Sequence, residues 1–327
     1  MRPFTHVNAR SVEEACKLLA EYDGRAVLNA GGTDLLGTLK GDYLIEYPEA
    51  LINIKTIAGL DRIAESKGTL RIGALAKLST LVSSALLNER YAALAEAART
   101  VATPQIRNVA TLGGNLCQDV RCWYYRYPRH IGGPILCARK GKGPCLAVKG
   151  DNRYHALMGA KKCFAVCPSD TAVALAALDG QITIAGPEGE RKIPVTDFYH
   201  PLGNSLKRGE IVTGVEVPSV ERESRETFHK FTLRKPVDFA IVSVATVITI
   251  KGGLCTDARI ALGAVAAGPV RAKKAEELLV GRPIDETSAA DASEAALAGA
   301  KPLSMNAYKI EIAKTLVKRA ILNGRQS

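Results

Sequence analysis

The chain has 327 residues, 47% of them hydrophobic and 24% charged, with a formal net charge of +11. That length leaves room for two or three compact units, and the balance is that of a globular protein without an apolar run long enough to span a membrane. Its Lys and Arg residues are dispersed and only 5% of residues are aromatic, so the charge speaks for solubility and attraction to acidic or phosphate-bearing ligands, and against nucleic acid.

From the N-terminus, residues 1–5 read as extended. In SVEEACKLLAEY, Ser11 with Glu14 three residues on has the capping-box arrangement, and Val12, Ala15, Cys16 and Leu19 share one helical face, which makes Cys16 a core residue. After the Asp23-Gly24 turn, AVLNAGGTDLLGTLKG predicts a strand, a double glycine and a helix. Gly31 and Gly32 permit the backbone to approach a ligand, and amides at the start of a helix attract a pyrophosphate. The stretch matches neither the dinucleotide-fold nor the P-loop pattern, so glycines placed for steric reasons explain it equally well. ALINIK predicts a buried strand, and a second unit begins near Thr56. TLRIGAL is another strand, the stretch from Leu78 to Val101 reads as a long helical region, and a second glycine turn, ATLGGN, occupies Ala110 to Asn115. Two such turns suit two faces of one extended, phosphate-bearing cofactor.

Between Arg107 and Asp170 the chain gathers six of its eight cysteines: Cys117, Cys122, Cys137, Cys145, Cys163 and Cys167. Thiols serving as small hydrophobes would show no preference for one segment. The sequence around them, punctuated by Gly132, Gly133, Pro134, Gly141, Gly143, Pro144 and Gly150, is a loop too long to stand unsupported in a compact domain. Disulfides are rare in reducing compartments, and no secretory signal opens the sequence, which places the chain in the cytoplasm. A structural zinc site more often shows CxxC pairs, whereas four thiolates at irregular spacing suit a [4Fe–4S] cluster. By spacing, zinc and iron–sulfur fit equally.

Further on, PSDTAVALAALDGQITIAG predicts a helix capped by Ser169 or Asp170 and then a strand, and LKRGEIVTGVEVPS a strand ending at Pro218. The charged VERESRET, Val220 to Thr227, reads as a linker. The last unit alternates strands (FHKFTLR, FAIVSVATVITI, ARIALGAVA) with helices (VRAKKAEELLVG, SAADASEAALAG, NAYKIEIAKTLVKRAIL), an α+β arrangement with helices on one face of an antiparallel sheet. Cys255, beside a turn, is inert.

The ordered motifs AGGTDL, RNVATLGGNL, PSDTAVALAAL, GEIVTGVEVP, FHKFTLR, RIALGAVAAGPVRAKKAEELL and NAYKIEIAKTLVKRAI resemble, over nearly the whole length, the FAD-binding medium subunits of the molybdenum hydroxylases, the xanthine dehydrogenase family. The resemblance implies an α+β fold: a two-part FAD-binding domain of the vanillyl-alcohol-oxidase/CO-dehydrogenase flavoprotein type at 1–55 and 56–220, and a C-terminal α+β domain at 221–327. It implies FAD held by Leu28, Asn29, Ala30, Gly31, Gly32, Thr33 and Asp34, by Val101 and Ala102, and by Ala110, Thr111, Gly113, Gly114 and Asn115, with Asp170, Ile211 and Lys230 also in contact or near the flavin. Without the resemblance, Lys230 reads as a solvated strand residue and Asp170 as a helix N-cap.

Most such subunits lack the cysteine-rich insert at about 117–168. It resembles those of 4-hydroxybenzoyl-CoA reductases and bacterial aldehyde oxidoreductases, which carry an extra [4Fe–4S] cluster. That implies Cys122, Cys137, Cys145 and Cys163 as ligands, with Cys167 the rival for the fourth place and Cys117 a bystander. The implied function is electron relay, without substrate chemistry on this chain. FAD would exchange electrons with a molybdopterin-containing large subunit and a [2Fe–2S] small subunit, and with an external carrier, ferredoxin or NAD; a periplasmic location would need a partner's signal. The rival readings are a zinc-stapled scaffold without flavin and a stand-alone flavin reductase.

Overall fold

The computed structural model of the chain describes residues 1–235 and 237–324. Its first layer is a small parallel sheet of β1 (Thr5–Asn8), β2 (Ala26–Asn29) and β3 (Ala50–Asn53), in the order β1-β3-β2. The helix Val12–Glu21 packs on it, capped by Ser11, whose hydroxyl accepts from Glu14 N at 3.1 Å. The Glu14 carboxylate reaches one residue further back than a capping box requires, accepting from Arg10 N at 2.7 Å. Leu35–Gly41 is the helix expected after the first glycine pair. Gly37 lies within it, with open space where a Cβ would stand. Gly37→Ala should therefore raise stability by about 0.5–1 kcal/mol, seen as a higher denaturant midpoint at unchanged slope; a lowered midpoint would mean that this turn is not helical in solution.

The second layer is an antiparallel sheet. It comprises β4 (Ile63–Ser66), β5 (Thr69–Gly73), β6 (Gln181–Gly186), β7 (Gly189–Pro194) and, after the small hairpin β8 (Tyr199–His200) and β9 (Gly203–Asn204), β10 (Ile211–Pro218). Their order is β4-β5-β10-β6-β7, so the long excursion between β5 and β6 carries both the second glycine turn and the insert. The region expected to be helical from Leu78 to Val101 forms three helices, Leu78–Ser83, Ala85–Arg90 and Ala92–Arg99. Ser84 is extended and caps the second, its hydroxyl accepting from Leu87 N at 3.4 Å, and the fully buried Tyr91 leaves helical geometry at φ −144°. No Gly or Pro marks these breaks; tertiary burial overrides helix propensity.

The third layer is an antiparallel sheet in chain order: β11 (Ser224–Phe231), β12 (Val242–Lys251), β13 (Leu254–Gly263) and β14 (Val270–Arg271). The expected linker is shorter than VERESRET, because Ser224 to Thr227 already pair with β12 from Ser224↔Thr249 onward. Their charges belong to an edge strand, where such residues discourage pairing with other chains. Helices Lys273–Leu279, Glu286–Leu297 and Tyr308–Asn323 form the covering expected on one face, with the first and last packed directly on the sheet. On the sheet's other side, Asp170–Ala177 packs against β12 and β13, and every one of its residues is buried. With both faces covered, β12 is buried at its first eight positions and shows no alternation.

Candidate functional site

The first glycine loop is shaped by close approach to the second. A Cβ on Gly31 would stand 2.0 Å from the Val109 carbonyl oxygen, and Gly32 has φ +72°, a conformation that L side chains rarely adopt. Gly113 is equally confined, with a Cβ falling 2.8 Å from that of Ala74. Between the loops lies an open cleft walled by Leu28, Gly31 to Asp34, Thr111, Gly113, Gly114 and Ile211.

The two loops differ in what they leave free. Gly113 N donates to Ala74 O at 2.8 Å, and Gly114 N donates to Thr111 Oγ1, the cap of helix Leu112–Cys117, at 3.2 Å. The N–H groups of Gly31, Gly32 and Thr33 find no backbone acceptor among the described residues, and Asn29 Oδ1 is buried without a partner. Unpaired N–H groups at a concave backbone turn suit an anionic group, and the orphaned Asn29 oxygen calls for a hydrogen-bond donor on the same ligand.

Asp34, the last residue of the first loop, is engaged elsewhere. Its carboxylate accepts from Asp119 N at 2.8 Å and pairs with Arg121 and Arg126 at 2.8 Å each, tying the loop to the start of the insert. Val101 and Ala102 sit in a turn outside the cleft walls, with both carbonyls accepting from Arg107 Nη1 at 2.9 Å. Lys230 binds that turn to Asp170: its Nζ donates to Thr100 O at 2.9 Å and meets Asp170 Oδ2 at 2.7 Å, with both side chains 5% exposed. Lys230 is thus buried and paired rather than solvated. Burial pushes the Asp170 carboxyl up and the Lys230 ammonium pulls it back. Ser169 is the cap of Asp170–Ala177, and its hydroxyl also donates to Asn115 Oδ1 at 2.7 Å, while Thr171 Oγ1 donates to the same oxygen at 2.6 Å.

Asp170 does not face the glycine cleft. It walls a second cavity with Cys122, Trp123, His155, Phe239 and Ile241. A third void shares Cys167 and Pro168 with that cavity, and Cys117 and Asn204 with the cleft. Of the residues expected around FAD, most of those in the two glycine loops and Ile211 line the cleft, and Asp170 lines the neighbouring cavity. Asn29, Val101, Ala102, Ala110, Asn115 and Lys230 line none of the three spaces, so an extended molecule would have to bridge cleft and cavity.

The insert is built of turns and three short 3-10 segments, Arg129–Ile131, Ala138–Lys140 and Leu146–Val148. Within it Cys122, Cys137, Cys145 and Cys163 line one small void of about 10 Å³, together with Tyr125, Arg139 and Ala165. Cys145 and Cys163 are in contact, which lowers the Cys145 thiol and raises its partner's. Cys117 is exposed, Cys167 lies against the second and third voids, and Cys16 and Cys255 are packed in separate apolar cores. Among the described residues no three His, Cys, Asp or Glu side chains are grouped as they would be around one metal ion.

Several residues that position the insert were not among the expected site residues. Asn152, fully buried, donates to Ala147 O, Gly150 O and Ser304 Oγ at 3.0–3.1 Å and accepts from Met305 N at 2.9 Å. Asn306 Nδ2 donates to the carbonyls of His155 and Ala156, and Lys309 Nζ to those of His155 and Ala264. The insert is thus stitched to the C-terminal layer. Lys309 had a signal: it precedes Ala313, Leu316, Val317 and Ala320 on the buried stripe of Tyr308–Asn323, a position where a lysine needs partners.

Residues 2–220 match the family described as FAD binding domain in molybdopterin dehydrogenase, and 226–323 the CO dehydrogenase flavoprotein C-terminal domain. The chain is 34% identical to the aldehyde oxidoreductase FAD-binding subunit PaoB of Escherichia coli, with 99% of each chain covered. It is 29% identical to the carbon monoxide dehydrogenase medium chain of Hydrogenophaga pseudoflava, covering 97% of this chain and 96% of that one. Among solved structures, it aligns with quinoline 2-oxidoreductase from Pseudomonas putida 86 at a TM-score of 0.77 and 28% identity, over 99% of this chain and 98% of that one. Two family matches end to end, on a fold shared with these flavoproteins, leave one assignment: the chain belongs to the FAD-binding subunits of the molybdopterin dehydrogenases, the flavoprotein chains of molybdenum-dependent oxidoreductases.

Proposed function

We propose that this chain is the electron-transfer subunit of its complex, holding FAD along the glycine cleft and a [4Fe–4S] cluster between Cys122, Cys137, Cys145 and Cys163. The observation that carries the cluster is the convergence of those four thiols on one void. A single zinc ion, with Zn–S distances of about 2.3 Å, would draw its ligands into one tight group. A [4Fe–4S] cubane asks only that four thiolates converge in space, which the irregular spacing of these four along the chain and their shared void allow. The Arg139 guanidinium on the same wall opposes the negative charge that four thiolates bring.

For the flavin nucleotide, the unpaired amides of Gly31, Gly32 and Thr33 would hold the phosphates, Thr111 and Ile211 would line its path, and the Asp170–Lys230 pair would fix the charge at the far wall. Bound there, the flavin supplies exchange between two-electron and one-electron carriers. The chain's own part is to position both groups and keep water from the four-cysteine void. The partners in this reading are a molybdopterin-containing large subunit, a [2Fe–2S] small subunit and an external carrier, ferredoxin or NAD. We assign units to 1–55, 56–220 and 221–327, and a cytoplasmic location in keeping with eight free thiols.

Iron, acid-labile sulfide and flavin analysis of the purified complex tests this reading. Cys122→Ser, Cys137→Ser, Cys145→Ser and Cys163→Ser should each lose about four iron and four sulfide per chain, while Cys117→Ser and Cys255→Ser keep them. Zinc in place of iron, or a complex without flavin, would refute it. Loss of iron in Cys167→Ser but not in Cys163→Ser would reassign the fourth ligand.

A further inference from the structure

His155 is 3% exposed and touches the proposed cluster site from outside the ligand set. Its Nε2 lies 3.4 Å from Cys122 Sγ, and its Nδ1 is buried with no hydrogen-bond partner among the described residues. The ring is held from the main chain outward. His155 N donates to Asn152 O at 3.0 Å, and its carbonyl accepts from Asn306 Nδ2 at 3.1 Å and Lys309 Nζ at 3.0 Å. The Trp123 ring packs edge-on at 6.0 Å between centroids. Clamped in this way, the imidazole has one polar neighbour for Nε2, the sulfur.

A thiolate bound to iron carries no proton, so the contact is favourable only with the hydrogen on Nε2, as an N–H···S bond. Cys122 is also distinctive among the four proposed ligands. It walls both the four-cysteine void and the larger cavity faced by Asp170, whereas Cys137, Cys145 and Cys163 do not line that cavity. A donor on this sulfur acts at the ligand that borders both spaces.

We infer that His155 is a positioning residue that donates Nε2–H to the Cys122 sulfur and thereby raises the reduction potential of the cluster. The inference rests on the reading of the four cysteines as a cluster site. A hydrogen bond to a ligand sulfur withdraws negative charge, and the reduced cluster, one electron richer, gains more from it than the oxidised one. The ring is itself 3% exposed, so its N–H meets the sulfur in surroundings of low polarity, where such a bond counts for more than in water.

The test is a redox titration of the cluster's EPR signal in the purified complex. His155→Leu should retain iron and sulfide, but at the wild-type midpoint its ratio of reduced to oxidised cluster should fall about tenfold, equal to 59 mV for a one-electron couple. His155→Gln, which keeps an N–H donor at similar reach, should restore most of that loss. A leucine variant with the wild-type midpoint overturns the inference and leaves the cluster standing. A wild-type complex lacking the extra iron and sulfide defeats the cluster reading itself. Should the variants fail to fold, pulsed EPR of wild-type complex carrying isotope-labelled histidine decides: a weakly coupled histidine nitrogen supports the bond, and none overturns it.

Discussion

Replacing Gly31 with valine should strip the flavin from the protein. The added Cβ would fall 2.0 Å from Val109 O, 2.8 Å from Val109 C and 3.0 Å from Ala110 Cα, and all three atoms are backbone. None can swing aside as the end of a side chain would. Since carbon atoms rest at about 3.5–4 Å, the two glycine loops must part by more than ~1 Å. The Gly31 to Thr33 amides then leave the position from which they would hold phosphate. Losing two charge-assisted hydrogen bonds at about 1.5–3 kcal/mol each weakens binding by roughly 10²–10⁴-fold. Flavin absorbance per chain after gel filtration measures the loss, and Gly37→Ala, in open space on the adjoining helix, should keep its full complement. A folded Gly31→Val protein with wild-type flavin content would remove the first loop from the site.

What could be foreseen was whatever repeats or punctuates. The Ser11 cap, the strand-glycine-helix unit around Gly31, and the C-terminal strands and helices each announce themselves by local chemistry, and each forms near where it was expected. The breaks at Ser84 and Tyr91 do not, because they answer to the burial of alanine faces from several directions. VERESRET looked like a linker because charge alternating along an edge strand resembles a solvated loop. The site divides similarly. Glycines show themselves because φ and close approach restrict the choice of residue. The pairing of Asp34 with Arg121 and Arg126, and that of Asp170 with Lys230, spans distances along the chain that no motif encodes.

Asp34 gives the insert a mechanical role as well. Through Arg121 and Arg126 the insert grips the first glycine loop, and through Asn152, Asn306 and Lys309 it grips the C-terminal layer. A disturbance in the four-cysteine void therefore has short routes to both sides through these ion pairs and hydrogen bonds. Loops this long are ordered when something fixes them, and here side chains from outside the insert do so at both ends.

Lys309→Met should destabilise the protein more at pH 9 than at pH 7. Lys309 is 0% exposed, and its Nζ donates to Ala264 O at 2.6 Å and His155 O at 3.0 Å. Burial alone pushes its pKa from 10.5 down to about 7. Above that value the folded chain holds a neutral amine, whose two N–H groups match two carbonyls, while the unfolded chain keeps the proton up to 10.5. The unfolded state thus binds more protons across this window, and stability rises with pH by about 1.4 kcal/mol per unit from this group. Below the folded pKa both states are charged and the slope vanishes. Methionine fills similar space with no charge to bury, but strands two carbonyls at about 1–3 kcal/mol each. The substitution should therefore cost about 3 kcal/mol at pH 9 and roughly 2 kcal/mol less at pH 7, where the wild-type chain already suffers from a half-charged buried amine. Urea denaturation of both proteins at the two pH values gives the difference directly. A cost independent of pH would mean that Lys309 titrates alike in the folded and unfolded chain, and that water reaches the joint between the insert and the C-terminal layer.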